Sequence, residues 1–173
     1  ERARLLRLTR AALAPGERPF PPPRPAAAED AQHRVHTHWN LDAASVLAAH
    51  CLDVRPGHAV LDLCAAPGGK SLTLAQQLWP EWYADRAARA PGSPSVLHAN
   101  EVDAPRHRRL RANLQAYLPP ALFDEGLVET LRIDGTSPRA VHLFPLGEGG
   151  YDRVLLDAPC SSERHICLLY TSP

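Results

Sequence analysis

The run Ala59-Val60-Leu61-Asp62-Leu63, followed directly by Cys64-Ala65-Ala66-Pro67-Gly68-Gly69-Lys70-Ser71, constrains the fold more than any other stretch of the sequence. The run is short, apolar on both faces and preceded by the turn signal Pro56-Gly57, which is the pattern of a buried parallel strand. Glycine next lets the backbone turn tightly and approach a ligand, and a helix follows from Lys70 to Leu78 with Leu72, Leu74, Ala75 and Leu78 available to pack. The free N–H groups at the start of such a helix favour an anionic group. The same alternation recurs downstream. Ser95 to Asn100 reads as a second strand ending at Glu101, and Pro105 suits the first turn of a helix reaching Tyr117. Leu127 to Ile133 is a third strand, ending at Asp134-Gly135, and a hairpin-like Gly147-Glu148-Gly149-Gly150 precedes a fourth, Arg153 to Leu156, ending at Asp157. Strands alternating with helices imply right-handed crossovers and a parallel sheet, whose ligands sit beyond the carboxyl ends of the strands. Each of those ends carries a glycine or a carboxylate, so one crevice is expected to collect them.

Composition narrows what the crevice serves. With 173 residues, 45% of them apolar, and 19 basic against 19 acidic side chains, the chain is long enough for one domain and too neutral for a general polyanion binder, which leaves room for a locally basic groove. Its apolar runs fall well short of the roughly 18–20 residues that cross a bilayer, so no membrane association is expected. Cys51, Cys64, Cys160 and Cys167 are spaced too widely for a zinc ladder, and a domain of this size needs no disulfide framework, so they are expected to be separate thiols with no metal. There is no Met, and Lys70 is the one lysine beside 18 prolines. The missing Met predicts a fragment.

The chain divides unevenly. Residues 1–14 are Arg-rich and amphipathic, an ordinary helix or the remains of a targeting peptide, and a proline-rich linker follows between Ala14 and Pro25, so residues 1–40 stand apart. Asp42 caps an expected helix from Ala43 to Leu52, and residues 80–95 read as a surface insertion.

The loop from Cys64 to Ser71 admits several readings. It can be a plain tight turn. Gly69-Lys70-Ser71 also satisfies the last positions of a P-loop, with Val154 to Asp157 as its metal-binding strand, but the first P-loop glycine falls on Cys64 and Pro67 lacks a backbone donor. The glycine fingerprint of dinucleotide sites is absent. Val60 to Lys70 resembles the first motif of the Nol/Nop/Sun family of RNA cytosine-C5 methyltransferases, Leu41-Asp42-Ala43-Ala44-Ser45 resembles its upstream segment, above all in the mitochondrial branch, and Tyr151 to His165, containing Asp157-Ala158-Pro159-Cys160, is similar to its fourth motif. The likeness spans roughly residues 40–165.

That resemblance implies an α/β fold, the class I S-adenosylmethionine-dependent methyltransferase (Rossmann-like) parallel sheet in strand order 3-2-1-4, truncated after about the fourth strand. Residues 41–165 are then a partial catalytic domain, and residues 166–173 a tail unlike the family's continuation. S-adenosyl-L-methionine would lie against Cys64, Ala65, Ala66, Pro67, Gly68, Gly69 and Lys70. Glu101, where the family usually has Asp, would take its ribose diol, with Arg106 in support unless that residue is one more surface arginine beside Arg108, Arg109 and Arg111. Asp134, followed by Gly135, corresponds to the acid at the adenine, although an Asp-Gly pair also makes a simple turn. Asp157 would act at N3 of the target base while lying close to the cofactor, and Lys70 would orient Asp157 or the base. Cys160 is the Pro-Cys thiol, which in this RNA family assists release of the methylated base, while a second Cys in a later Thr-Cys-Ser motif attacks C6. Neighbouring Lys70 and Arg164 are expected to lower the Cys160 thiol pKa.

The implied partner is RNA, rRNA or tRNA, held by Arg24, Arg34 and Arg164, with the target base unstacked and a ribosome-assembly protein as a further partner. The mitochondrial branch and the Arg-rich terminus point to mitochondria, against a nucleolar or cytoplasmic alternative. Without the later motif the fragment is expected to be inactive alone, with its fourth strand a bare edge. Two other functions stay open: a catalytically inactive protein of the same fold that binds RNA or a ribosomal partner, and a P-loop nucleotidase.

Overall fold

A computed structural model describes Pro23, residues 35–80 and residues 94–158. The expected N-terminal helix, the linker arginines Arg24 and Arg34, most of the 80–95 insertion, and Cys160, Arg164 and Cys167 lie outside these residues.

The elements run in the order α1 (Ala43–Cys51), β1 (Ala59–Asp62), α2 (Gly69–Leu78), β2 (Val96–Asn100), α3 (Ala104–Tyr117), α4 (Pro120–Asp124), β3 (Val128–Leu131), α5 (Ala140–Leu143), a 3-10 turn (Gly147–Gly149) and β4 (Arg153–Leu155). The strands form one sheet, parallel as the alternating pattern requires, in the order β3-β2-β1-β4 that the family resemblance implies. In register, Val60 lies beside Leu97 and Arg153, and Leu97 beside Val128. Each strand ladder is shorter than its apolar run suggests. Leu63 and Ile133 continue the hydrophobic pattern past the last paired residue, packing under the strand ends against Leu61, Leu131, Ala140 and Phe144.

The main core lies on the face covered by helices α1 to α4. Val60, Leu97, Ala99 and Val128 of the sheet meet Ala49, Leu74, Leu78, Leu110, Leu114 and Leu122 there. The periodicity of α3 follows directly, since Leu110 and Leu114 are one turn apart and fully buried while Arg108, Arg109 and Arg111 face outward. Local chemistry fixes the helix starts. The Asp42 carboxylate accepts from the Ser45 N–H at 2.9 Å to cap α1, and the Asp103 carboxylate accepts from the Arg106 N–H at 2.9 Å to cap α3, with Pro105 in its first turn.

Gly147 to Gly150 is not a hairpin. It forms a 3-10 turn, because in a parallel sheet the chain must return the full length of a strand before β4 rather than fold back on itself. Ahead of α1, the His36 N–H donates to Ala116 O at 2.8 Å, and the Trp39 ring meets Tyr117 edge to face at 5.1 Å. The segment entering α1 is therefore laid across the end of α3.

Candidate cofactor and catalytic site

The loop after β1 is built by close approach. Gly68 caps α2 with φ +115°, a conformation that favours glycine, and its N–H donates to Ala65 O at 2.8 Å. A Cβ on Gly69 would stand 2.8 Å from both Leu41 Cδ1 and Trp39 Nε1, so only glycine lets the segment before α1 close over the loop. The Ala65 N–H donates to Asn100 O, and the Asn113 amide donates to Pro67 O, each at 2.8 Å. These contacts place Lys70 in the first turn of α2, facing the end of β4. Its Nζ lies 2.6 Å from Asp157 Oδ2 and donates to Ser45 Oγ at 3.0 Å.

A cavity of about 300 Å³ opens here, lined among others by Trp39, Asp42, Ser45, Asp62, Cys64, Lys70 and Asp157. Among the described lining residues there are three carboxylates, Asp42, Asp62 and Asp157, to one ammonium, Lys70. Asp62, the last residue of β1, is 1% exposed; it accepts from Ser71 Oγ at 2.6 Å through Oδ2, while Oδ1 has no hydrogen-bond partner. Burial pushes its pKa up to about 6, against the opposing pull of the Ser71 hydroxyl and Lys70. Asp42 is held below the usual carboxylate range by its two bonds from Ser45. The Cys64 thiol is pushed up by burial and by the nearby Glu101 and Asp62 charges, which makes it a poor nucleophile.

Glu101 sits at the end of β2, 5% exposed, and its Oε1 accepts from the Asp103 N–H at 3.0 Å. Arg106 Nη2 is 3.1 Å from Glu101 Oε2 without a directed hydrogen bond, because it donates instead to Ala66 O at 3.2 Å. Arg106 is thus a strut between the β1 loop and the end of β2 rather than one more surface arginine. Asp134 is exposed at the end of β3, with Oδ1 accepting from the Thr136 N–H and hydroxyl at 2.9 and 2.7 Å, bonds that lower its pKa. Gly135 packs close to Leu63, where a Cβ would come within 3.1 Å of Cδ1.

The strand ends are accordingly brought together in two groups. Cys64, Ala65, Ala66, Pro67, Gly69, Lys70 and Asp157 line the cavity; Glu101, Arg106, Asp134 and Gly135 lie outside that lining, on the β2 and β3 side. Cys160 lies outside the described residues.

Reading the sequence missed two residues. Asn100 is 2% exposed, donates from Nδ2 to Leu63 O and Ile133 O at 3.0 Å each, and accepts the Ile133 N–H at 2.8 Å, clamping three strand ends. Ser45, quoted only as part of the upstream segment, reaches Lys70 from α1. A polar residue ending an apolar strand was the available signal for Asn100; nothing in the spacing marked Ser45.

A family model described as 16S rRNA methyltransferase RsmB/F matches residues 49–167. The chain belongs to this family. The matched RsmB/F range includes the β1 loop and the end of β4, so the Nol/Nop/Sun resemblance and the class I methyltransferase fold both hold. The chain is 41% identical over 134 residues to the mitochondrial tRNA (cytosine(34)-C(5))-methyltransferase of Danio rerio, covering 75% of this chain and 31% of that protein. It is 39% identical over 132 residues to the 5-cytosine rRNA methyltransferase NSUN4 of Xenopus tropicalis, covering 76% and 28%. The crystal structure of PH0851 matches with a TM-score of 0.52 and 32% identity over 73% of this chain and 23% of that one. This RsmB/F chain thus spans less than a third of the relatives it matches. Among the described residues no helix is long and apolar enough to cross a membrane.

Proposed function

We propose that this chain carries the cofactor-binding part of an enzyme that methylates C5 of cytosine in RNA, with S-adenosylmethionine as the methyl donor. The observation that carries the reading is the 2.6 Å pairing of Lys70, at the start of α2, with Asp157 at the end of β4, inside a cavity whose described lining holds more carboxylates than cations. The methionine half of the cofactor bears an ammonium and a sulfonium, and the donor set fits it. Asp62 Oδ1 and Glu101 Oε2 are buried acceptors with no hydrogen-bond partner. Asp62 would take the positive end, Glu101 the ribose diol, and the Cys64–Lys70 loop the body of the molecule. Asp134 would serve the adenine from the end of β3.

Bound there, the cofactor supplies an electrophilic methyl group. The residues of this chain would do part of the remaining work. Asp157, more than half exposed, is the group that meets N3 of the target base, and Lys70 holds its carboxylate in orientation. Cys160, three positions beyond Asp157, would assist departure of the methylated base, as the family resemblance implies, while the thiol that adds to C6 comes from the later motif. A phosphate cradle is the weaker reading, because Pro67 has no N–H and that of Gly68 is already given to Ala65 O.

The relatives are named for tRNA and rRNA, so RNA of either class is the proposed substrate; a ribosome-assembly protein is a further partner that only the family resemblance suggests, and mitochondria are the proposed location, after the mitochondrial tRNA methyltransferase relatives. Mass spectrometry of RNA from cells lacking the complete gene tests the function: loss of 5-methylcytosine at a defined position is expected, and an unchanged level refutes it. In the intact enzyme Lys70→Arg is expected to reduce turnover by roughly tenfold or more, because a planar fork cannot occupy the place of a point ammonium. Full activity would remove Lys70 from the site.

A further inference from the structure

Lys70 has two anchors, and the second has no part in the chemistry described above. Ser45 Oγ donates to Asp42 Oδ2 at 2.7 Å and accepts from Lys70 Nζ at 3.0 Å, while the Ser45 N–H donates to Asp42 Oδ1 at 2.9 Å. A hydroxyl has one proton to give. Because Asp42 takes that proton, the lone pairs of Ser45 are left for the ammonium, and the carboxylate is itself fixed by both of its bonds. The first turn of α1 thus does more than start a helix: it directs the negative charge of Asp42 onto Lys70 through one hydroxyl.

The other anchor is less constrained. The Asp157 side chain is 55% exposed and the Lys70 side chain 20%. Asp157 can meet N3 of a base through its other oxygen while Oδ2 stays on Lys70; an ammonium anchored to that exposed carboxylate alone would shift with it.

We propose that Ser45, oriented by Asp42, is a positioning residue that holds Lys70 in place while Asp157 engages the substrate base. The need for a second anchor rests on the methyl-transfer reading; the coupling of Asp42, Ser45 and Lys70 rests on geometry alone.

Lys70 is the single lysine of the sequence, so lysine labelled with nitrogen-15 at Nζ gives one ammonium resonance needing no assignment. In the unaltered 173-residue chain the ammonium protons are expected to exchange slowly enough to be seen. Ser45→Ala should raise their exchange rate roughly tenfold, the effect of losing one charge-assisted hydrogen bond, and Ser45→Thr, which keeps the hydroxyl, should restore it. Asp42→Asn should give an intermediate rate. Asparagine caps a helix as well as aspartate does, and alanine suits the third helical position, so α1 remains folded in both variants and its circular dichroism checks this. In the intact enzyme Ser45→Ala should lower kcat severalfold with little change in KM for the cofactor, and Ser45→Thr should recover it. An ammonium exchange rate equal to the unaltered value in Ser45→Ala overturns the coupling. Faster exchange with an unchanged kcat overturns the positioning role but leaves the methyl-transfer reading intact. An intact enzyme that neither binds S-adenosylmethionine nor transfers methyl overturns that reading, and the positioning role with it.

Discussion

At the scale of single residues the sheet end holds one expensive group. Asp62 is buried, has one oxygen without a hydrogen-bond partner, and titrates near 6 instead of the ordinary 3.8. Between those two values the folded protein keeps a proton that the unfolded chain has released, so stability falls as pH rises through the window and is lower above it by roughly 3 kcal/mol. Nothing in packing rewards this arrangement, since an amide of the same shape would accept the Ser71 hydroxyl equally well. On the proposed function a cationic ligand would restore the lost interaction. Asp62→Asn separates the two effects. Compared with the unaltered chain, the variant should gain stability progressively between about pH 4 and about pH 6, read by urea unfolding across that range, while losing affinity for S-adenosylmethionine. A stability difference that stays flat with pH would show that Asp62 ionises in the fold as it does in water.

At the scale of elements, the three strand ends beside the site are joined by one amide. Asn100 satisfies Leu63 O, Ile133 O and the Ile133 N–H together. In Asn100→Ala these buried backbone groups lose their partner, and the expected loss of stability is about 2–4 kcal/mol, with faster hydrogen exchange at the Ile133 amide. A loss under about 1 kcal/mol would mean that water replaces the amide without strain. Asn100 also shows where legibility stops. β1, α2, β2 and α3 could be read because a buried strand, a glycine turn and an apolar stripe leave periodic traces, and the strand order followed from the family those motifs resemble. α4 and α5 could not, being five and four residues long, too short for periodicity. The Lys70–Asp157 pair was legible because both residues belong to long motifs at strand ends. The bond from Ser45 to Lys70, and the clamp at Asn100, depend on side-chain direction across elements, which no spacing in the chain encodes.

For the whole molecule, the consequence is an uneven sheet. Helices α1 to α4 seal one face into the main core, whereas on the other the buried apolar cluster is Leu61, Leu131, Ala140 and Phe144, with Tyr151 against it. His98 is 4% exposed on that second face and bonds the Tyr151 hydroxyl at 2.7 Å, and burial lowers its pKa, so a neutral ring fills space there without an ionic cost. Toward β4 the covering by described residues ends. Val154 and Leu156 are 48% and 63% exposed, and among the described residues β4 is paired with β1 alone. An open parallel edge beside exposed apolar side chains is a template for another chain, and a parallel strand is ordinarily covered on both faces. The 173-residue chain is therefore expected to self-associate as its concentration rises, seen as an increasing weight-average mass in sedimentation. Charge on the open face should oppose this without touching the core, because Leu155 between the two positions keeps its contact with the main core. Val154→Lys with Leu156→Lys should shift the chain toward monomer while its circular dichroism stays unchanged. If the unaltered chain sediments as a monomer at every concentration, that edge is covered by residues beyond those described, and the asymmetry of the sheet is only local.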